Sequence, residues 1–244
     1  MRLGTIWSGA FLSLLAIPLQ INCQTTRECH HPGIPAPRSV GIIGDSRIFD
    51  PGLKNFGGFT NYLNQIPEKN AFAGATFVSE DNDPRTSKNI PGSDAYSSVG
   101  NNAFYAERNF GKVMANGHDT VIISLGVNSS GDPEGSIAAI DRMTKSAAKQ
   151  GLTVILTTLG PWRGYATWTV PYQNGTEKIN DWIRQSKARG FVVIDVYDIL
   201  EDKKKPGFLK AEFTWDQLHY TALGHETIAL EANAQMAAAR ACKD

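Results

Sequence analysis

The sequence predicts a three-layer α/β/α sandwich, with helices on both faces of a five-stranded parallel sheet. Two observations carry this. From residue 39 onward, short runs rich in Val, Ile and Thr alternate with longer stretches of helical pattern. Within each run the apolar character is nearly continuous instead of falling on every second residue, as expected for strands buried on both faces. Strand, helix and strand repeated along the chain then imply right-handed crossovers. A length of 244 residues suits a single compact domain with an ample core. No internal repeat or second domain is visible.

In chain order, the first strand is expected at 39–43, followed by a helix at 56–66 and a strand at 75–79. A helix at 103–116, a strand at 120–125, a helix at 134–150 and a strand at 153–158 come next. A helix at 175–189, a strand at 191–196 and a final helix at 222–240 complete the domain, the last being rich in strong helix formers. The least regular stretch is 80–100, polar and rich in Pro, Gly and Ser. A long loop in a compact domain is often functional. Ligands of such sheets lie beyond the carboxyl ends of the strands, so motifs are sought there.

Ahead of the domain, Met1-Arg2 precedes an uncharged stretch over residues 3–19, and polar residues follow. This reads as an export signal over 1–23. A membrane-spanning anchor fits less well, because Gly, Ser, Thr and Pro dilute a stretch near the lower length limit for crossing. A Pro-rich lead over 24–38 joins the signal to a domain at 39–244. Leu19-Gln20-Ile21-Asn22-Cys23 loosely resembles a bacterial lipobox and makes Cys23 a candidate for lipidation. With Cys23 acylated or removed, Cys29 and Cys242 remain, a candidate disulfide tying the termini together in an oxidising compartment. The 24 basic and 24 acidic residues cancel, so charge gives no pull toward nucleic acid or an anionic membrane. Membrane contact is expected only through an N-terminal lipid anchor, and a monomer is expected.

Three short blocks carry candidate chemistry. Gly44-Asp45-Ser46 ends the first strand and places Ser46 where the chain leaves the sheet edge. Alone, it is equally a plain turn or a phosphate-cradling loop. Gly126-Val127-Asn128 follows the third strand and delivers an amide to the same edge, where it is either a turn residue or a donor to a developing oxyanion. Asp216-Gln217-Leu218-His219 precedes the last helix. A serine hydroxyl needs a base to take its proton, and that base needs a carboxylate to fix its tautomer and stabilise the imidazolium. Asp216 can reach His219 across one turn, although alone the pair also reads as a helix cap beside a surface histidine. Asn128-Ser129-Ser130 and Asn174-Gly175-Thr176 are also formal N-glycosylation sequences, relevant only in a host that glycosylates.

Occurring jointly, these blocks resemble the SGNH hydrolases, the GDSL esterase and lipase family, over about residues 38–240. The resemblance implies a flavodoxin-like sheet and acyl transfer through Ser46, His219 and Asp216. It implies an oxyanion hole from the Ser46 N–H, the Asn128 amide and a glycine, best matched by Gly92 in Asn89-Ile90-Pro91-Gly92-Ser93, with Gly100 as the fallback. No cofactor or metal is required by that chemistry. Two departures stand out: Arg47 occupies a position usually held by Leu, and Ser129 one usually held by Asp. Either could alter the packing and loop support around the site.

The substrate is expected to be a small-molecule or polysaccharide ester, with short acyl chains, especially acetyl, favoured by the lack of a large lid insertion. Candidate substrate-binding residues are Arg47, Trp162, Tyr165, Trp168 and Trp215. The 162–172 segment is dense in aromatics, which either form a rim for sugar or acyl groups or anchor a long loop to the core. Rival readings are an acyltransferase on a cell-envelope polymer, a non-catalytic surface binding protein of the same fold, and a nucleotide binder using residues 41–46.

Overall fold

The computed structural model describes residues 33–50, 55–56, 58–67, 69–78 and 100–241. Five parallel strands form the sheet: β1 (Ser39–Gly44), β4 (Thr76–Val78), β5 (Thr120–Ser124), β6 (Thr153–Thr157) and β7 (Val192–Ile194). Their order across the sheet is β4-β1-β5-β6-β7. Counted among themselves this is 2-1-3-4-5, the flavodoxin-like order, whose direction of winding switches between β1 and β5. Two short strands, β2 (Phe49–Asp50) and β3 (Asn55–Phe56), pair antiparallel outside the main sheet.

Alternation of side chains within these apolar strands divides the core in two. On one face Ile43, Val121, Ile123, Val154, Leu156 and Val193 pack against Phe110, Ile140, Met143, Ile179 and Ile183. Those partners come from α2 (Ala103–Ala115), α3 (Pro133–Lys149) and α4 (Val170–Gln185). On the other face Val40, Ile42, Ile122, Ile155, Val192 and Ile194 meet Leu63, Leu200, Ile228 and Met236. These belong to α1 (Thr60–Leu63), α5 (Val196–Leu200) and α6 (Ala222–Ala241). The expected three layers are thus present, and both faces of the sheet are covered.

Helix starts follow their capping chemistry. Asn102 Oδ1 accepts from the Tyr105 N–H at 2.9 Å to cap α2, and Asp132 Oδ1 accepts from the Gly135 N–H at 3.0 Å to cap α3. The helix expected at 175–189 instead begins at Val170, with Pro171 in its first turn, where a missing N–H is tolerated. It ends at Gln185 and tightens into a 3₁₀ turn over Ser186–Arg189. The 56–66 helix contracts to the four residues of α1. Strand β7 stops at Ile194 because Asp195 turns the chain, accepting from the Asp198 N–H at 3.2 Å and opening the unanticipated α5.

Gly175 explains how α3 and α4 come together. A Cβ at this buried helical position would lie 1.8 Å from the Ser130 carbonyl oxygen, so α4 rests directly on the backbone ahead of α3. Helix propensity alone favours alanine here by about 1 kcal/mol. Gly175→Ala is nevertheless expected to destabilise the fold by about 1–3 kcal/mol through overpacking, measured by urea unfolding.

Candidate active site

Strand β1 ends at Gly44, and the next residues form a tight turn. Asp45 Oδ1 accepts from the Arg47 N–H at 2.9 Å, and the Asp45 carbonyl accepts from the Ile48 N–H at 3.0 Å. Ser46 sits at the head of this turn, just past the carboxyl edge of the sheet, and is only 6% exposed. Burial pushes the Asp45 carboxyl above its ordinary range, an effect opposed by the Arg47 guanidinium and backbone N–H.

The loop before α6 is held by its own side chains. Thr214 Oγ1 accepts from the backbone N–H groups of Asp216 (3.3 Å) and Gln217 (2.8 Å). Asp216 Oδ1 in turn accepts from the N–H groups of Leu218 (2.8 Å) and His219 (2.7 Å). Gln217 adopts a left-handed φ of 69°, which a residue with a side chain rarely takes. A single bridge between Thr214 and Tyr220 closes the loop at its base.

With one Asp216 oxygen tied to the backbone, the other meets the imidazole: His219 Nδ1 and Asp216 Oδ2 are 2.7 Å apart. On the far side of the ring, Nε2 lies 3.0 Å from Ser46 Oγ. These partners fix the roles: Nδ1–H donates to the carboxylate, and the Ser46 hydroxyl donates to Nε2. The Asp216 and His219 side chains are 19% and 13% exposed, so the pair is sheltered but reachable. Burial acts to raise the Asp216 carboxyl, yet hydrogen bonds from the His219 backbone, the His219 ring and the Leu218 backbone outweigh it and leave the group below its ordinary value.

Asn128 sits in a 3₁₀ turn, Val127–Ser129, entered through Gly126 with φ of 130°. Its Nδ2 donates to the Asn101 carbonyl at 2.8 Å, and Asn101 Nδ2 donates to the Gly44 carbonyl at 2.8 Å. The asparagine block is thereby tied to the end of β1 that carries Ser46. An amide nitrogen has two hydrogens, so this bond leaves a second for a ligand. Asn101 reads from sequence only as a residue ahead of a helix, and this bridging role was not legible there. Ser129, where Asp is usual, is buried and supports the loop itself: Oγ accepts from the Ala103 N–H at 3.4 Å and donates to the Gly126 carbonyl at 3.5 Å. Gly100, with φ of 74°, immediately precedes Asn101. Gly92, Cys23, Cys29 and Cys242, together with the 1–23 signal, lie outside the described residues.

Two of the five candidate substrate contacts flank the imidazole. Trp215 stacks on His219 with ring centroids 5.2 Å apart at 12°, and it is 57% exposed. Tyr165 presents an edge at 6.5 Å and 90°. Trp168 is half-buried against the core, and its Nε1 donates to Gln173 Oε1 at 3.1 Å. The remaining two expectations are corrected. Trp162 is 4% exposed, and its Nε1 donates to Thr176 Oγ1 at 3.0 Å, so it anchors the long loop to the core. Arg47 is also 4% exposed, and its guanidinium lies over the buried Tyr220 ring instead of on an open surface. Beside the 162–165 segment opens a cleft of about 320 Å³ whose lining includes Arg163, Gln173, Glu177, Tyr197 and Glu201.

Three solved structures are alike in fold over most of both chains. An α/β hydrolase enzyme from the metagenome of Lake Arreo is 18% identical with a TM-score of 0.62, covering 86% of this chain and 99% of its own. An acetylxylan esterase from Geobacillus stearothermophilus is 16% identical with a TM-score of 0.62, covering 84% and 96%. A GDSL-like lipase from Bacteroides thetaiotaomicron is 16% identical with a TM-score of 0.58, covering 86% and 93%. No curated protein sequence matches the chain. The profile of the GDSL-like Lipase/Acylhydrolase family, however, matches residues 42–227, a span from β1 into α6 that includes Ser46, Asn128, Asp216 and His219, and the chain belongs to that family.

Proposed function

We propose that this family member is a serine ester hydrolase acting through an acyl-enzyme, on short-chain esters and in particular on acetyl groups carried by carbohydrate. The observation that carries the reading is the unbroken hydrogen-bond chain from Asp216 through His219 to Ser46. His219 Nε2 takes the Ser46 proton as Oγ attacks the ester carbonyl, while Asp216 holds the ring and stabilises its charged form. The tetrahedral oxyanion is received by the Ser46 N–H and the Asn128 amide, with Gly92 or Gly100 as the third donor. His219 then protonates the leaving alcohol, and water releases the acid by the same route.

The acetylated-carbohydrate reading draws support from the exposed indole of Trp215 beside the imidazole and from the polar cleft lined by Arg163, Gln173 and Glu177. The fold shared with an acetylxylan esterase is consistent with it. The uncharged run at 3–19 behind Met1-Arg2 favours action outside the cytoplasm.

Wild type is expected to cleave aryl acetate faster than aryl octanoate and to release acetate from acetylated xylo-oligosaccharides, with Ser46→Ala inactive on all of them. Hydrolysis by Ser46→Ala at the wild-type rate would refute the assignment. Asn128→Ala is expected to keep its circular dichroism spectrum while kcat drops roughly 100- to 1000-fold. Unchanged turnover would remove Asn128 from the oxyanion site.

Asp216 also sets a pH dependence. A carboxyl lowered in the folded state contributes stability above its unfolded value, near 4, and loses it as pH falls through the folded value. The stability gap between wild type and Asp216→Asn, read from urea midpoints, is therefore expected to be widest near neutral pH and to close below about pH 4. The same variant is expected to lose roughly 10,000-fold in kcat, as amide replacement does in Ser-His-Asp proteases, because the imidazole tautomer is no longer fixed.

A further inference from the structure

Arg47 and Tyr220 directly follow Ser46 and His219 in the chain. In the fold they meet: the Arg47 guanidinium lies over the Tyr220 ring, 5.6 Å from its centroid. Arg47 Nη1 also donates to the Gly160 carbonyl at 3.4 Å. The Tyr220 hydroxyl packs so tightly on Gly160 that a Cβ there would lie 2.3 Å from the hydroxyl oxygen. The loop after β1, the loop after β6 and the loop before α6 therefore converge at one point beneath the Ser46–His219 pair.

Arg47 is an expensive residue for that point. Both it and Tyr220 are 4% exposed, and Arg47 Nε and Nη2 have no hydrogen-bond partner among the described residues. A small cavity of about 10 Å³, bordered by Asp45, Arg47, Ser124, Thr158 and Tyr220, adjoins them. A buried cation is costly unless it is paired, and the group within reach is the equally buried Asp45 carboxyl, which Arg47 holds down against the effect of burial. That pairing alone does not account for the guanidinium lying over the Tyr220 ring, at the point where the Ser46 and His219 loops meet. What its position does explain is alignment, since it is covalently next to the nucleophile and stacked on the covalent neighbour of the base.

We propose that the Arg47–Tyr220 contact is a positioning clamp that holds Ser46 Oγ in register with His219 Nε2. The inference rests on the reading of Ser46 and His219 as nucleophile and base. Arg47 is a positioning residue here, acting through its neighbours.

The test combines steady-state kinetics, thermal melting and the rate at which a fluorophosphonate probe labels Ser46, which reports nucleophile activation without an ester substrate. Arg47→Leu leaves the buried Asp45 carboxyl without its cation and is expected to melt below wild type while still folding. Its kcat is expected to fall roughly 10- to 100-fold with KM within about twofold, and labelling to slow in parallel. Arg47→Lys, which keeps a cation over the ring, is expected to recover most of the loss. Tyr220→Leu is expected to match Arg47→Leu, and the double variant to be no slower than either single one, because both remove the same contact. Wild-type kcat and labelling in Arg47→Leu, a change in KM alone, or losses that multiply in the double variant would each overturn the clamp. Should the leucine variant fail to fold, Arg47→Gln carries the same test: slowed labelling supports the clamp and wild-type labelling overturns it. Failure of wild type itself to take the probe would instead sink the assignment of Ser46, whereas labelling without ester cleavage would sink only the proposed substrate.

Discussion

The parallel pairing of β1 with β5 is the constraint on which the rest of the structure depends. Its register runs from Val40 opposite Thr120 to Gly44 opposite Ser124, so both strands end at the same level. Parallel strands put their carboxyl ends on one edge, and the helices that return the chain leave that edge open at the point where the winding reverses. Ser46 and Asn128 come to one rim for this reason, although Asn128 lies 82 positions after Ser46 in the chain. The Asn101 side chain then fastens the two strand ends together through Gly44 and Asn128. Sheet register is accurate because a slip of one residue would turn every buried Val and Ile to the wrong face. The site borrows that accuracy.

The third part of the site is not on the sheet, and its order has a different origin. Asp216 divides its carboxylate between two tasks, one oxygen fixing the loop backbone and the other orienting the imidazole. The same charge therefore shapes the loop and prepares the base, and Thr214 braces the strained turn around Gln217 from below. Preorganisation of this kind means the ring need not search for its orientation when an ester arrives.

Much of this was legible in the sequence, for identifiable reasons. Strands buried on both faces leave continuous apolar runs, so β1, β5 and β6 stood out within a residue or so of their ends. The Ser46, Asn128 and Asp216–His219 blocks were legible through their joint resemblance to a known family, since each alone reads equally well as a turn or a cap. What could not be read was burial. Arg47 and Trp162 carry polar atoms that suggest a surface, and nothing local reveals that one lies over Tyr220 and the other donates to Thr176. The start of α4 was hidden because Gly175 looks like a breaker until its role in admitting the Ser130 carbonyl is known. Asn101 gave no signal at all, since a bridge between two strand ends exists only in three dimensions.

The indole of Trp215 lies nearly parallel to the His219 ring with more than half of its surface in water. In the proposed mechanism that imidazole delivers the proton to the departing alcohol. On that reading a flat apolar plate borders the exit of the alcohol, while the acid half of the ester would face the hydroxyl and its amide donors. The proposed chemistry would then discriminate between esters by what leaves first, a ring whose C–H face can lie along the indole being favoured over a charged or strongly hydrated one.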